Sequence, residues 1–190
     1  AEHLLLVAIA IAIAVLVSIP LGILITRYKL LRQPILTLAN IFQTIPSLAL
    51  FGLLIPFVGI GAVPAIIALT LYSFLPIIRN TYTGIMGIDP AIREAGRGMG
   101  MTDRQLLLQV ELPLAMGVIL AGVRVATVIA IGIATIAAAI GAGGLGVFIF
   151  RGIAVVNNQL ILAGAVPAAV IALLADWGIG ALEKRFAVKR

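Results

Sequence analysis

Long apolar stretches follow one another along this chain, separated by short polar or glycine-rich segments. An α-helix rises about 1.5 Å per residue, so roughly 20 apolar residues cross the hydrocarbon core of a bilayer. Only structures that satisfy their own backbone hydrogen bonds are stable there, and a helix does so within one segment. We therefore expect residues 1–190 to form a single, all-α transmembrane domain. The pattern predicts about five transmembrane helices, over residues 4–25, 35–58, 63–78, 114–140 and 160–182.

Basic residues are distributed unevenly among the segments that connect these predicted helices. Eleven of the 13 Lys and Arg residues lie in segments 27–34, 79–113 and 183–190, whereas 141–159 carries one and 59–62 carries none. Cytoplasmic loops of membrane proteins are enriched in Lys and Arg. We therefore expect the three basic segments to lie in the cytoplasm. The amino terminus is then outside and the carboxyl terminus inside.

Composition excludes several classes of function. The chain is 63% hydrophobic and has no cysteine and one histidine, so disulfides, thiolate metal sites and histidine clusters are not available. The net charge of +6 could indicate nucleic acid as a partner. However, the bases border the apolar spans, where they act as topology signals and contact lipid head groups. We expect the lipid bilayer, and no nucleic acid, as the partner of this charge.

The basic segment 79–113 is the most polar part of the chain, and four of the seven acids lie between Asp89 and Pro113. Asp89 followed by Pro90 is typical of a helix N-terminus and predicts a short helix. Thr102 and Gln105 have the spacing of a capping box and predict a second helix leading towards Pro113. Glycines at positions 96, 98 and 100 predict a hinge between the two helices. A simple connector would need neither capped helix.

The same loop carries a spaced motif. EAG at 94–96 is followed by three residues, Gly100, nine residues and then VELP at 110–113. This spacing resembles the EAA loop of permease subunits of ABC importers, with Gly96 and Val110 standing where that pattern has alanine and isoleucine. The chain is also similar to permeases for osmoprotectant quaternary amines in QTIPSLA at 43–49, LPIIRNTYTGI at 75–85, ELPLAMGVILAGVR at 111–124 and GAGGLG at 141–146.

The resemblance implies a five-helix permease core of the methionine-importer type in a bacterial plasma membrane. It implies as partners a second permease copy or paralogue, a dimer of ABC ATPase subunits, and an external substrate-binding protein or fused binding domain. In that family the EAA loop forms the coupling helix that docks on the ATPase. Glu94, Ala95, Gly96 and Gly100 would then form this contact, and Pro113 would set where the fourth span begins. The chain has no GxxxxGK(S/T) phosphate loop, so we expect no cofactor in it, with ATP and Mg²⁺ bound by the ATPase subunits.

Polar residues within the second and third predicted spans are candidates for lining a translocation pathway. Polar groups at membrane depth are favoured where they meet a cavity or a protein partner. The candidates are Gln43, Thr44, Pro46 and Ser47, with Tyr72 and Ser73 as weaker ones. Hydrogen bonding between helices would explain the polar group around Pro46 equally well, and a tyrosine is more often a packing or interfacial residue.

Two ionisable residues, Arg124 and Asp176, lie in the predicted cytoplasmic halves of the fourth and fifth spans. Ionised groups at such depths tend to pair, so we expect a structural ion pair between them. The alternative is that Arg124 extends to the inner membrane interface. A row of small residues along the fourth span predicts close helix packing, at positions 122, 126, 130, 134, 138 and 142. The glycines at 141–146 predict a flexible outer gate or turn.

Substrate recognition is less well defined by the residues themselves. A quaternary ammonium group is usually bound by aromatic side chains, and the chain is only 6% aromatic. We therefore expect the binding protein to select the substrate, and the quaternary amine follows from the resemblance. A related amino-acid-derived substrate is the nearest alternative. An ion-coupled secondary transporter or channel would require acids near mid-span, where Asp176 is the one candidate, and a non-transporting scaffold would leave the motif in 79–113 unexplained.

Overall fold

The computed structural model describes residues 1–186, and every regular element in that part of the chain is helical. The helices are α1 (Glu2–Arg27), α2 (Lys29–Thr44), α3 (Ser47–Val58), α4 (Ala62–Met86), α5 (Pro90–Gly98), α6 (Asp103–Leu106), α7 (Leu112–Ile136), α8 (Gly146–Ala154) and α9 (Asn158–Phe186). A π-helical segment, Leu107–Glu111, joins α6 to α7, and a 3₁₀ turn, Ala137–Ile140, follows α7. Two bases of the predicted cytoplasmic carboxyl terminus, Lys189 and Arg190, lie outside the described residues.

Four helical stretches are long and apolar enough to cross a membrane: Glu2–Arg27, Ala62–Met86, Asp103–Ile140 and Asn158–Phe186. The helices α2 and α3 together form a fifth, bent by 100° at the break between them. The predicted number of about five spans therefore holds when the bent pair is counted as one.

The second span is not the continuous helix that was predicted over 35–58. Pro46 has no backbone N–H, and its ring disfavours a helical conformation for the preceding residue. Ile45 is accordingly extended, with φ −67° and ψ 130°. The chain turns sharply at this point, so α2 and α3 are separate helices, and α2 begins already at Lys29.

Hydropathy also placed several helix ends too far inside the observed helices. The third span was predicted to end at residue 78, but α4 continues to Met86 and includes Arg79 and Asn80. Asn80 is compatible with the helix because its side-chain amide donates to the carbonyl oxygen of Pro76, at 2.8 Å. The loop before α5 therefore starts at Gly87, and α9 similarly extends beyond the predicted 160–182 at both ends.

The helices α1, α4 and α7 form the centre of the domain and approach one another closely. A Cβ atom added to Gly122 of α7 would lie 2.6 Å from the Cβ of Asn80 on α4. Ala126, Ala130 and Ala134 follow on the same helix and are fully buried. Small residues allow this approach between membrane helices, so the row on α7 packs as its spacing predicted.

The glycine-rich segment after α7 is a compact turn, and a short helix that the sequence analysis missed follows it. Gly141, Gly143 and Gly144 have φ values between 76° and 81°, which glycine adopts without steric cost. The carboxylate of Glu2 accepts a hydrogen bond from the backbone N–H of Gly144, at 3.1 Å. The segment therefore contacts the start of α1, and α8 then packs against α9.

Candidate functional site

The loop helix α5 begins where the sequence predicted it. The Asp89 side chain caps it by accepting a hydrogen bond from the N–H of Ala91, at 2.9 Å, and Pro90 occupies the first turn. Thr102 and Gln105 form the predicted capping box at the start of α6. Gly100, between the helices, has φ 80°. Both capping signals are thus confirmed, whereas of the three glycines predicted as a hinge only Gly100 lies between the helices, because Gly96 and Gly98 belong to α5.

The second loop helix, which was predicted to lead towards Pro113, is continuous with the fourth span, and Pro113 lies in the first turn of α7. The helix starts at Asp103 and continues through the π-helical segment into α7. The N–H of Leu112 bonds to the carbonyl oxygen of Leu107, five residues back. A proline ring clashes with the carbonyl four residues before it in an α-helix. The π-helical turn before Pro113 is wider than an α-helical turn. It therefore accommodates the proline ring while the helix continues.

The residues of the predicted coupling contact separate into two groups. Glu94, Ala95 and Gly100 are exposed on the loop surface. Gly96 is buried, and a Cβ atom there would lie 2.7 Å from Cδ1 of Leu106. Gly96 therefore packs α5 against α6, while the exposed residues remain available to a partner.

A buried ion cluster, which was not predicted from the sequence, connects α5 to the long helices. The Glu111 side chain is 1% exposed. Its Oε2 accepts a hydrogen bond from Nη2 of Arg27, the last residue of α1. Its Oε1 lies 3.1 Å from Nε of Arg93 on α5, close enough for an ion pair but not aligned as a hydrogen bond. Arg93 also donates to the carbonyl oxygen of Ile85 near the end of α4.

The ion cluster therefore joins the ends of α1, α4 and α7 to a single face of α5. A cavity of about 280 Å³ lies beside it, lined among others by Thr26, Met86 and Glu94. In the sequence Glu111 occupies only a variable position of the spaced motif. Its partners are 84 and 18 positions away, so no local pattern indicates them. Within residues 1–186, no group of three His, Cys, Asp or Glu side chains could hold a metal ion.

The candidate pathway residues around Pro46 lie at the bend between α2 and α3. Thr44 and Pro46 are exposed, and Gln43 and Ser47 are half-buried. The Thr44 hydroxyl donates to the carbonyl oxygen of Ile41 in its own helix, at 2.8 Å. These four residues thus form one polar surface patch, which is open to a cavity or a partner.

The two weaker candidates on α4 do not belong to that surface. Tyr72 is 4% exposed, and its hydroxyl donates to the carbonyl oxygen of Ile45 at the bend. Ser73 is 1% exposed and donates to the carbonyl oxygen of Leu69, at 2.8 Å. Tyr72 therefore stabilises the bend from its buried side, and the Ser73 hydroxyl has its hydrogen-bond partner within its own helix.

The structure brings Arg124 and Asp176 together between α7 and α9. Nε and Nη2 of Arg124 donate to the two carboxylate oxygens of Asp176, at 2.6 and 2.7 Å. Such a bidentate arrangement combines strength with a fixed orientation. Nη1 also donates to Oε2 of Glu183, at 3.3 Å, a partner that the sequence analysis did not predict. Gly180 leaves room for the guanidinium, since a Cβ there would lie 3.2 Å from Nη1.

This fold, with a capped loop helix tied to several membrane helices, defines an integral membrane protein with several spans. The chain belongs to the family of inner membrane components of binding-protein-dependent transport systems, whose family model matches residues 18–188. The carnitine transport permease protein OpuCB of Listeria monocytogenes is 47% identical over 173 residues, which are 91% of this chain and 79% of that protein.

Two further relatives are similar over most of their length. The osmoprotectant import permease protein OsmW of Salmonella typhimurium is 47% identical over 187 residues, covering 96% of this chain and 87% of that protein. The choline transport system permease protein OpuBB of Bacillus subtilis is 46% identical over 184 residues, covering 97% and 85%. These similarities confirm the resemblance found in the sequence.

A solved structure supports the fold independently. An inward-facing crystal form of the MetNI methionine ABC transporter contains a chain that matches with a TM-score of 0.89, covering 98% of this chain and 94% of that chain. The identity is 24%, so this match speaks for the fold alone. The predicted all-α architecture of an ABC importer permease is confirmed.

Proposed function

We propose that this chain is the permease subunit of an ATP-driven importer for a small quaternary amine osmoprotectant, such as glycine betaine, carnitine or choline. The names of the similar permeases support this substrate class, and the chain matches these permeases over most of their length. An external binding protein or fused binding domain delivers the substrate, in keeping with the family to which the chain belongs. ATP and Mg²⁺ bind to a separate pair of ATPase subunits.

The permease works as a pair, with a second copy or a paralogue, in the bacterial plasma membrane. Large apolar side chains on the bent pair α2 and α3 support this arrangement, because Leu30, Leu53 and Phe57 are between 60% and 91% exposed. Lipid and the second permease together cover such surfaces. The polar patch of Gln43, Thr44, Pro46 and Ser47 lines the pathway between the two permeases.

The observation that carries the coupling role is the two-sided character of α5. One face presents Glu94 and Ala95 to the surroundings. The other face is attached to the membrane helices through Arg93 and Glu111 and to α6 through Gly96. A helix that is exposed on one face and fixed on the other suits the transfer of movement from an ATPase to the membrane domain.

The charge reversal Glu94→Lys tests this role. Glu94 is exposed and forms no ion pair within residues 1–186, so the variant should fold and reach the membrane normally. We expect uptake to fall about tenfold at equal permease levels, since coupling between sites is commonly worth 5–150-fold. The reversal Arg104→Glu on the neighbouring α6 is the matched control and should transport normally. Normal uptake by Glu94→Lys would show that Glu94 is not part of the coupling contact.

Reconstitution tests the substrate class. The permease, its ATPase subunits and the binding protein are placed in liposomes, and ATP hydrolysis is measured with glycine betaine, carnitine, choline and methionine in turn. We expect stimulation by at least one quaternary amine. Stimulation by methionine alone would contradict the proposed substrate, and uptake that follows an ion gradient without ATP would contradict the importer mechanism.

A further inference from the structure

We propose that Glu111 is a positioning residue that transmits movement of the loop helix α5 to α1 and α7. This inference rests on the importer function proposed above and adds a residue outside the exposed docking face. Glu111 is well placed for the role because it is the point where three elements meet. Arg27 comes from the end of α1, Arg93 from α5, and Glu111 itself from the last position of the π-helical segment.

The burial of Glu111 makes the two contacts interdependent. A carboxylate taken out of water is destabilising unless it is paired and hydrogen-bonded, and this one is 1% exposed. Each of its oxygens contacts a different arginine. When Arg93 moves with α5, a carboxylate that follows it displaces Arg27 at the end of α1, and a carboxylate that does not follow it loses this partner.

The contact with Arg93 is the adjustable one of the two. Arg27 forms a hydrogen bond to Glu111, whereas Nε of Arg93 is 3.1 Å away without hydrogen-bond alignment. Arg93 is also held at the carbonyl oxygen of Ile85. A small rotation of α5 can therefore strengthen or weaken this ion pair while α1 stays attached to Glu111.

The local winding of the chain supports a moving part at this position. The segment Leu107–Glu111 is π-helical, and such segments are rare and frequently lie at functional sites. It is followed by Pro113, which removes one more backbone donor. The start of α7 thus has fewer regular helix bonds than the rest of the span. Glu111 lies at the end of this deformable segment.

The test uses the complete transporter in liposomes with the substrate-loaded binding protein. The measured quantity is the ratio of substrate-stimulated to basal ATP hydrolysis for each assembled complex. Glu111→Gln keeps the side-chain volume and removes the charge. We expect this variant to assemble with the ATPase and to show a ratio about tenfold smaller, within the usual range of coupling between sites.

Further variants separate coupling from stability. Arg93→Gln should reduce the ratio as Glu111→Gln does, and the double variant should be no worse than either single variant, because both remove the same link. Glu111→Asp, which keeps the charge, should recover part of the ratio. Arg104→Gln, an exposed arginine on α6 without an ion pair among the described residues, is the matched control and should behave like the unaltered protein.

Three results would overturn the inference. The ratio could be unchanged in Glu111→Gln. It could also be unchanged per assembled complex while assembly itself falls, which would show a structural role only. Additive losses in the double variant would show that Glu111 and Arg93 act separately. If the unaltered complex showed no stimulation by substrate, the proposed function itself would fail, which is a different outcome from these three.

Discussion

The hydroxyl group of Tyr72 resolves a local problem at the bend between α2 and α3. The last carbonyls of a helix have no partner within it, and Pro46 ends α2 abruptly. The Tyr72 hydroxyl reaches the carbonyl oxygen of Ile45 from the buried side of α4. The sequence marked Tyr72 as a weak candidate for the pathway, because a polar group in a predicted span has more than one explanation. The structure places it under the bend.

Removing this hydroxyl group should destabilise the bend. In Tyr72→Phe the Ile45 carbonyl loses its partner, and a hydrogen bond of this kind is worth about 1 kcal/mol. We expect a lower midpoint of thermal unfolding in detergent. Tyr82→Phe makes the same chemical change on the same helix, where the ring stacks on Arg32 and the described residues provide no hydrogen bond to the hydroxyl. Equal midpoints for the two variants would contradict a structural role for the Tyr72 hydroxyl.

The pair of helices α7 and α9 is held together by more charge than the sequence indicated. Arg124 and Asp176 were predicted to pair because antiparallel neighbours bring residues of equal depth together. Glu183 lies seven residues after Asp176, two turns along the same face of α9, and it contacts the same guanidinium. Arg124 thus has two acidic partners on a single helix face.

This second acid changes the expected outcome of a charge exchange. Arg124→Asp and Asp176→Arg should each reduce the yield of folded permease, because each leaves unpaired charge within a membrane helix. The combined exchange should recover only part of the yield, since it places an acid beside Glu183. Adding Glu183→Gln to the exchange should raise the yield further. Size-exclusion chromatography in mild detergent measures the folded fraction. An exchange no better than the single variants would contradict the structural ion pair.

Which elements could be predicted depends on whether their cause is local. Capping side chains lie within three residues of the helix ends that they stabilise, so α5 and the start of α6 were found. The end of α4 was not found, because the helix continues through the polar residues Arg79 and Asn80 to Met86. The cluster around Glu111 could not be predicted from local patterns, because its contacts join three distant segments. The helix α8, nine residues long, was not predicted, because it is short and lies between a glycine-rich turn and a polar segment.

Across the whole molecule, the most central span is the least hydrophobic of the four long ones. In α4, 61% of the apolar window is buried within the chain, compared with 11% in α9. A helix packed against other helices can carry threonine, serine and tyrosine, because neighbouring groups accept their hydrogen bonds. A helix that faces lipid must be apolar on most sides. Hydropathy therefore underestimates the length of the central helix α4 most, although it also places both ends of α9 too far inside the helix.

The orientation of the domain rests on the distribution of bases, and the absence of cysteine from the chain makes it directly testable. Ile60→Cys lies in the turn between α3 and α4, and Met99→Cys follows α5, at positions that are 74% and 77% exposed. The positive-inside distribution predicts opposite sides of the membrane for them. A membrane-impermeant maleimide should label Ile60→Cys in intact spheroplasts and label Met99→Cys only after permeabilisation. Both cysteine variants must react after solubilisation in denaturing detergent. The reverse labelling pattern in intact spheroplasts would invert the topology and place α5 out of reach of a cytoplasmic ATPase.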